Sequence, residues 1–262
     1  MAIITLLSDF GYSDHYVASV KAMLLGRVPD ATLVDISHGI EPFNIAHGAF
    51  VLNSVFREFP KGTVHLVAVD THGSKQNRFL ATEIEGHYFI CTDNGLLSLI
   101  SEQEPSQLIE LTAPEAWANT FPVKQIFVRA AADLYDKATL ESLGNPTTEM
   151  RRLINRQLRL MDHSITGHVI HIDHFGNLVT NITRDAVEGI GHGRDFFVKF
   201  GRESVDKISE RYNEMEAGDC VCVFNDLNLL EIAIVKGHAA DLLGLAYDSQ
   251  IDIQFYPAGE PQ

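Results

Sequence analysis

The first 140 residues alternate short apolar runs with segments whose apolar residues recur at helical spacing. Apolar strands separated by helices are typical of a largely parallel sheet covered on both faces. We predict strands at Ile3–Leu7, Thr32–Ile36, Val64–Val69, Leu80–Ile84, Tyr88–Thr92 and Gln107–Leu111, and helices after Asp14, at Ala46–Phe59, Leu96–Ile100 and Ile126–Leu143. The first half therefore predicts an α/β domain whose sheet is mainly parallel, with flanking helices.

The pattern changes after Gly144-Asn145-Pro146. Residues 146–166 are polar and basic, as expected of a connecting segment. From Gly167 onward, short strands follow one another with turns between them and one short helix, Ala239–Leu243, which predicts a smaller all-β barrel or sandwich. The predicted organisation is an α/β domain over 1–145, a connecting segment over 146–166 and a β domain over 167–262.

Composition and charge narrow the class of protein. Hydrophobic residues make up 45% of the 262 residues and charged residues 21%, so a core of ordinary size is available. The formal net charge of -15 argues against nucleic-acid binding. No apolar run approaches the ~18 residues that span a bilayer, and the acidic N-terminal segment does not resemble a signal peptide. Three cysteines leave one unpaired under any disulfide scheme, so we predict reduced thiols in a cytoplasmic protein.

Two acids stand where strands of the predicted sheet end, Asp9 and Asp70. Ligands of open α/β sheets bind at the carboxyl ends of strands, and a carboxylate there can accept hydrogen bonds from both hydroxyls of a ribose. The alternative for Asp9 is a cap of the following helix. The segment 70–78 holds an acid, an imidazole and two cations, which suits an active-site loop or a solvated turn equally.

Other kinds of site have less support. His168, His171 and His174 lie close in sequence, but His171 would point away from the other two on a strand, and no HExxH pattern occurs, so we expect no metal. The sequence also lacks GxGxxG, P-loop and GxSxG motifs. The segment 173–177 could be only a hairpin between two strands.

Taken in order, several segments resemble one family. They are Ser8-Asp9-Phe10-Gly11 with Asp14, Tyr16-Val17 and Lys21; Val34-Asp35-Ile36-Ser37-His38 with Phe43-Asn44-Ile45; Val67–Asp70; Thr92–Leu97; Gly167–Ile182, which contains IDHFGNLVTNI; and Leu230-Glu231-Ile232-Ala233 with Gly237 and Ala239. This set resembles the S-adenosylmethionine (SAM) hydroxide adenosyltransferases, which are related to the fluorinases and chlorinases.

The resemblance implies a fold, a ligand and an assembly. The fold is an N-terminal α/β domain followed by a C-terminal β domain, and members are homotrimers with SAM between the N-domain of one subunit and the C-domain of the next. SAM is substrate or ligand and no cofactor is implied. The substrate-binding residues implied are Asp9, Phe43, Asp173, Phe175, Asn177, Glu231 and Ala239.

The same resemblance implies an activity, displacement at the ribose C5′ by hydroxide that yields adenosine and methionine. Asp70 and Arg78 correspond to the acid and arginine of the water-activating set. The FHGRD motif that carries the family's histidine is replaced by Phe121-Pro122-Val123-Lys124-Gln125, so His72 is the candidate for the missing imidazole. Two alternatives stay open: a SAM or adenosine binder without catalysis, and a halide-dependent 5′-halo-adenosine synthase.

Overall fold

The computed structural model describes residues 3–73, 78–101, 103–113 and 120–256. The chain divides into two compact units, Met1–Ile154 and Asn155–Gln262. Residues 147–158 have no regular secondary structure, but the rest of the segment predicted as a connection contains a strand and the start of another.

A seven-stranded sheet forms the centre of the first unit. Its elements are β1 (Ile3–Ser8), α1 (Tyr16–Arg27), β2 (Thr32–Ser37), α2 (Ile45–Asn53), β3 (Val64–Ala68), β4 (Phe79–Ile84), β5 (His87–Thr92), α3 (Leu96–Ile100), β6 (Leu108–Leu111), α4 (Val128–Tyr135) and β7 (Gly144–Pro146). The strand order is β2-β1-β3-β5-β4-β6-β7. Neighbours are parallel from β2 to β5 and antiparallel from β5 to β7. The sheet is therefore mixed, not mainly parallel.

Both faces of this sheet are covered, because β1 sends alternate side chains to opposite sides. Ile4 and Leu6 pack with Val20 of α1 in one core cluster. Leu7 packs with Leu52 of α2 in a second cluster. Strands β1 and β3 pair in parallel, so their carboxyl ends lie side by side between these two packed layers.

The helix predicted at Ile126–Leu143 is wrong as a single element. A π-helical turn at Val123–Phe127 leads into α4, which ends at Tyr135, and a 3-10 turn follows at Leu140–Leu143. Lys137 has φ 66°, a left-handed conformation that a helix cannot continue through. The apolar periodicity continues across this break, which explains the prediction.

The second unit is built on a nine-stranded sheet with two helices. Its elements are β8 (Arg159–Met161), β9 (Ser164–Ile172), β10 (Leu178–Thr183), α5 (Arg184–Gly191), β11 (Phe196–Phe200), β12 (Glu203–Val205), β13 (Ile208–Ser209), β14 (Cys220–Phe224), β15 (Leu229–Ile234), α6 (Ala239–Leu243) and β16 (Gln250–Phe255). The order is β12-β11-β16-β9-β10-β15-β14-β13, with β8 on β9. All neighbours are antiparallel except β13 and β14.

This sheet curves until it is nearly a barrel around its own core, which includes Ile165, Val198 and Ile232. The unit is not all-β, because it contains α5, a helix that the sequence analysis does not predict. Its start is marked by Thr183, whose hydroxyl accepts a hydrogen bond from the Ala186 N–H as an N-cap. None of the described helices has the length and apolar character needed to cross a membrane.

Candidate functional site

Asp9 follows β1 and holds two other segments in place. Its Oδ2 accepts hydrogen bonds from the backbone N–H of Phe43 and of Asp70, each 3.0 Å long. Its own N–H donates to the Ala68 carbonyl at 3.3 Å. Helix α1 begins at Tyr16 with His15 as its N-cap and no side-chain cap bond, so Asp9 does not cap this helix.

The carboxylate of Asp9 still has an acceptor to offer. Both backbone donors use Oδ2, and within the described ranges no hydrogen bond is made to Oδ1. Asp9 is half-buried, so this second oxygen belongs to a residue that solvent or a ligand can reach. The Phe43 side chain beside it is 74% exposed. A carboxylate next to an exposed aromatic ring is suited to a hydroxylated, ring-bearing ligand.

Asp70 lies two residues after β3, beside Asp9. Burial, together with the nearby negative charge of Asp9, raises the pKa of Asp70, although Arg151 and His72 act in the opposite direction. Its carbonyl accepts the Gly73 N–H at 3.0 Å, and a Cβ at position 73 would collide with the Asp70 carboxylate. The turn therefore keeps this carboxyl packed against its own backbone in a partly desolvated position.

The arginine predicted to act with Asp70, Arg78, has several acidic neighbours. Its guanidinium lies 3.2 Å from Asp93 and 3.1 Å from Glu110, and it is only 15% exposed. It also donates to the Glu149 carbonyl at 3.0 Å. The structure thus gives Arg78 a role in joining the β4 start to the segment after β7.

Arg151 is a second arginine near Asp70 that sequence analysis missed. Its guanidinium is 3.4 Å from the Gly73 carbonyl, and its backbone N–H donates to Asp93 at 2.7 Å. It is exposed, as is His72. The sequence places Arg151 in a basic connecting segment, 81 residues after Asp70, and no sequence pattern indicates that the two lie close together.

The segment that begins at Phe121 and Pro122, which replaces the family's histidine motif, lies next to the residues around Asp9. Phe121 packs against Phe10, with ring centroids 5.6 Å apart, and against Tyr16 at 5.3 Å. Pro122 is buried and precedes the π-helical turn. The aromatic contacts place the changed motif beside the residue that follows Asp9.

In the second unit, Asp173 organises the loop between β9 and β10. Its Oδ1 accepts the N–H groups of Phe175 and Asn177 at 2.9 and 2.8 Å, and its Oδ2 accepts the Asn177 side-chain amide at 3.0 Å. Phe175 is 73% exposed. The segment is therefore a hairpin loop, as one alternative held, and it also presents an aromatic ring to its surroundings.

The predicted residues Glu231 and Ala239 lie near this loop. Ala239 is fully buried at the start of α6, where the Ala240 N–H donates to the Gly176 carbonyl at 2.9 Å. Glu231 is 4% exposed and accepts hydrogen bonds from the Tyr212 hydroxyl at 2.6 Å and from Asn225 at 3.2 Å. Burial and the charges of Glu231 and Asp173 raise the pKa of Tyr212. Tyr212 was missed because it lies in a weakly patterned segment.

In the part of the chain that the structure describes, His, Cys, Asp and Glu side chains do not gather in groups of three that could hold a metal ion. The two groups of polar residues around Asp9 and Asp173 are instead built for hydrogen bonding, with exposed phenylalanines next to them. Each unit contributes one such group.

Comparison with known proteins assigns the family. The family model of the SAM hydroxide adenosyltransferase N-terminal domain matches residues 4–144, and that of the C-terminal domain matches residues 167–252. Together these models cover most of the chain. The chain belongs to the SAM hydroxide adenosyltransferase family, which confirms the resemblance drawn from its motifs.

Individual relatives agree with this assignment. The chain is 30% identical over 263 residues to the (R)-S-adenosyl-L-methionine hydrolase of Methanocaldococcus jannaschii, covering 96% of this chain and 95% of the relative. It is 32% identical to the protein of that name from Thermus thermophilus, covering 91% and 94%. A fluorinase from Nocardia brasiliensis is 31% identical over 73% of this chain and 75% of its own.

A solved structure of a conserved protein from Thermotoga maritima has the same fold. It superposes with a TM-score of 0.87 at 28% identity, covering 96% of this chain and 99% of that one. A conserved protein from Thermus thermophilus gives a TM-score of 0.76 at 29% identity, covering 98% and 100%.

Proposed function

We propose that this protein binds SAM and hydrolyses it to adenosine and L-methionine. The observation that carries the proposal is the geometry of Asp9: two backbone donors use its Oδ2, and no donor among the described residues uses Oδ1, so this oxygen can accept from a ligand. The hydrolase names of relatives that cover nearly the whole chain support the same reaction. In this proposal Asp9 and Phe43 bind the ribose, and Asp173, Phe175, Asn177, Glu231 and Ala239 bind the remainder of the ligand.

The chemistry is a displacement at the ribose C5′. Water, deprotonated as it attacks, forms the new C–O bond, and the C–S bond breaks so that methionine leaves as a neutral thioether. A neutral leaving group needs no general acid, so the protein has to align the water and accept its proton. Asp70 is the proposed base, because its raised pKa makes it a stronger proton acceptor than an ordinary aspartate. The positive charge of Arg151, which acts on Asp70, would stabilise the developing hydroxide, and Arg78 and His72 are proposed to help position the water.

Incubation with SAM, with adenosine and methionine measured by chromatography, tests this proposal. Asp70→Asn should lower kcat about 100-fold or more, because the amide keeps the shape but accepts no proton. His72→Ala should lower kcat about tenfold if His72 replaces the missing imidazole. Asp30→Ala, which removes an exposed carboxylate elsewhere, is the control. Unchanged turnover in Asp70→Asn would overturn the role of Asp70, and unchanged turnover in His72→Ala would remove His72 from the mechanism.

Two other functions remain as outcomes of the same experiment. Binding of SAM by calorimetry without any product over hours would indicate a non-catalytic binder, which the proline at position 122 favours. A new nucleoside formed only with added chloride or fluoride would indicate a halide-dependent synthase. The negative charge of Asp70 close to Asp9 disfavours an anionic nucleophile, so we rank the synthase last.

We further propose a homotrimer in the cytoplasm that needs no cofactor, with the ligand between the first unit of one subunit and the second unit of the next. This assembly rests on the family resemblance. Light scattering after size-exclusion chromatography tests the subunit number, and a monomer at catalytic concentrations would overturn it.

A further inference from the structure

A chain of four polar side chains runs through the first unit to the residue before Asp9. The Lys21 ammonium is 2.5 Å from Asp35 Oδ2, and Asp35 Oδ1 is 3.1 Å from His38 Nε2. His38 Nδ1 is 2.7 Å from Ser8 Oγ. His38 and Ser8 are 3% and 2% exposed, whereas Lys21 and Asp35 reach the surface. Nothing in the proposed chemistry uses any of the four.

This chain of polar side chains exists because β2 is irregular where it pairs with β1. Residues three apart on a regular strand face opposite sides, so Asp35 and His38 would not meet. Leu6 pairs with Asp35 but Leu7 pairs with Ser37, so β2 carries one extra residue at this point. Such a bulge re-aims the side chains around it, and it lets His38 turn back between Asp35 and Ser8.

The donors and acceptors among these four side chains are consistent with one arrangement of protons. Burial raises the pKa of Asp35, but the Lys21 ammonium, which donates a hydrogen bond, and the nearby His38 imidazole outweigh it and lower the pKa, so Asp35 is a carboxylate. His38 Nε2 is buried and makes no aligned hydrogen bond within the described residues, but the Asp35 carboxylate 3.1 Å away favours the tautomer with the proton on Nε2. In the neutral imidazole, Nδ1 is left as an acceptor for the Ser8 hydroxyl. Ser8 Oγ in turn accepts the Phe10 N–H at 3.4 Å.

The backbone of His38 holds the same segment from its other side. Its carbonyl accepts the Gly11 N–H at 2.8 Å, and its N–H donates to the Tyr12 hydroxyl at 3.1 Å. His38 is therefore joined to the residue before Asp9 through its side chain and to the second and third residues after Asp9 through its backbone. Between these anchors only Asp9 and Phe10 lack a direct bond to His38 in the described structure.

We propose that His38 is a positioning residue for Asp9, and that Asp35 with Lys21 sets the tautomer in which His38 holds Ser8. The backbone on both sides of the Asp9 carboxylate is then fixed before a ligand arrives, which reduces the ordering cost of binding. This inference rests on the proposed role of Asp9 at the ribose. Asp9 would contact the ribose before and during the reaction alike. The chain of polar side chains therefore supports substrate binding more than the chemical step.

Strand β1, which contains Ser8, also contains a residue suitable for a matched control variant. Thr5 is likewise buried on β1, and its Oγ1 lies 2.7 Å from the Nδ1 of another buried histidine, His65. Ser8→Ala and Thr5→Val each delete one hydroxyl–imidazole hydrogen bond of the same length from the same strand. They differ in whether the lost bond adjoins Asp9, and Ser8→Ala also removes the longer bond from the Phe10 N–H. Variants at position 38, which keep Ser8, therefore isolate the contribution of His38. In SAM hydrolysis, Ser8→Ala should raise KM about tenfold with kcat changed less than about twofold, and Thr5→Val should change neither.

A second comparison tests the direction of the hydrogen bond between Ser8 and His38. The amide of Asn in His38→Asn can occupy the place of Nδ1 and accept from Ser8, whereas His38→Ala cannot, so His38→Asn should recover part of the lost affinity. Equal KM values for Ser8→Ala and Thr5→Val, or equal KM values for the Asn and Ala variants at position 38, would overturn the proposal.

A crystallographic readout keeps this test separate from the proposed function. The two 3.0 Å bonds from the N–H groups of Phe43 and Asp70 to Asp9 Oδ2 should lengthen or be lost in Ser8→Ala and persist in Thr5→Val. If the wild-type protein does not turn over SAM, this result still decides whether the four polar side chains position Asp9. Retention of both bonds in Ser8→Ala would refute the inference even in an active enzyme.

Discussion

The residues whose backbones donate to Asp9 are both held in a left-handed conformation. Phe43 has φ 65° and Asp70 has φ 45°. This conformation costs a non-glycine residue about 1–2 kcal/mol, and it persists here because each N–H is bound by the same carboxylate oxygen. Strain of this kind often accompanies functional sites. Its position next to the carboxylate indicates that the local backbone is shaped for that contact.

Position 43 offers a direct measurement of this strain. Because the Phe43 side chain is largely exposed, its truncation loses little buried area. We expect Phe43→Gly to be about 1 kcal/mol more stable than Phe43→Ala, since glycine adopts positive φ without the Cβ clash. The measurement is the free energy of unfolding in urea. At Glu83, an exposed strand residue outside the left-handed set, the order of the Gly and Ala variants should reverse. The same order at both positions would refute the strain.

The sequence identified Asp9, Asp70 and Phe43 as candidates but could not give their contacts. The donors to Asp9 lie 34 and 61 residues away, and only the parallel pairing of β1 with its neighbours brings them together. His38 belongs to a segment that resembles the family, yet its contact with Ser8 depends on a β-bulge that no local sequence pattern predicts. Hydrogen bonds of this kind are set by register, and periodicity does not encode register across long loops.

At the scale of elements, apolar runs predicted most strands of the first unit, including the hairpin of β4 and β5. The predictions failed where local backbone conformation overrides periodicity. The long helix breaks at Lys137, which has positive φ. Helix α5 was missed because its two glycines, at 189 and 191, made the segment resemble a turn. Element type followed the pattern of apolar residues, whereas element ends followed single residues.

Three neighbouring strands are joined inside the first unit by a buried polar row. Thr5 of β1 contacts His65 of β3, whose Nε2 lies 3.2 Å from His87 Nδ1 on β5. Burial, with the nearby His87 charge, lowers the pKa of His65 to about 3, and burial also lowers the pKa of His87. The row is therefore neutral at physiological pH, and the folded state resists its protonation.

This row predicts how stability depends on pH. A histidine whose pKa is depressed by folding stabilises the protein above its unfolded pKa of about 6.5, and that contribution falls as protons bind the unfolded chain. Between pH 7 and 5 we expect His65 to lower the free energy of unfolding by about 2 kcal/mol, most of the loss falling below pH 6.5. Urea unfolding across this range measures it. The double variant Thr5→Val/His65→Leu should have a shallower pH slope, and His163→Gln, at an exposed histidine, should not. A slope equal to that of wild type in the double variant would contradict the argument.

At the scale of the whole molecule, the candidate residues are divided between two units with separate cores. Asp9, Phe43 and Asp70 belong to the first unit, whereas Asp173, Phe175 and Asn177 belong to the second. The sequence pattern predicts an α/β domain over 1–145 and a β domain over 167–262, because predicted helices alternate with predicted strands mainly before Gly144. Whether one chain or two adjacent subunits supply both halves of a site is a question about assembly that no pattern within one chain addresses.

Mixed oligomers decide that question. Asp9→Ala and Asp173→Ala should each abolish SAM turnover alone, since each removes a carboxylate from one half of the proposed site. If the protein is the proposed trimer, variants co-expressed with two different tags and purified through both are mixed trimers. If each site joins the first unit of one subunit to the second unit of the next, a cyclic mixed trimer has about one intact site in three, and about a third of the wild-type activity should return. If both halves came from the same chain, every site would carry one substitution and no activity would return. Co-expression of two differently tagged Asp9→Ala chains is the matched control, because such trimers contain no intact site in either arrangement.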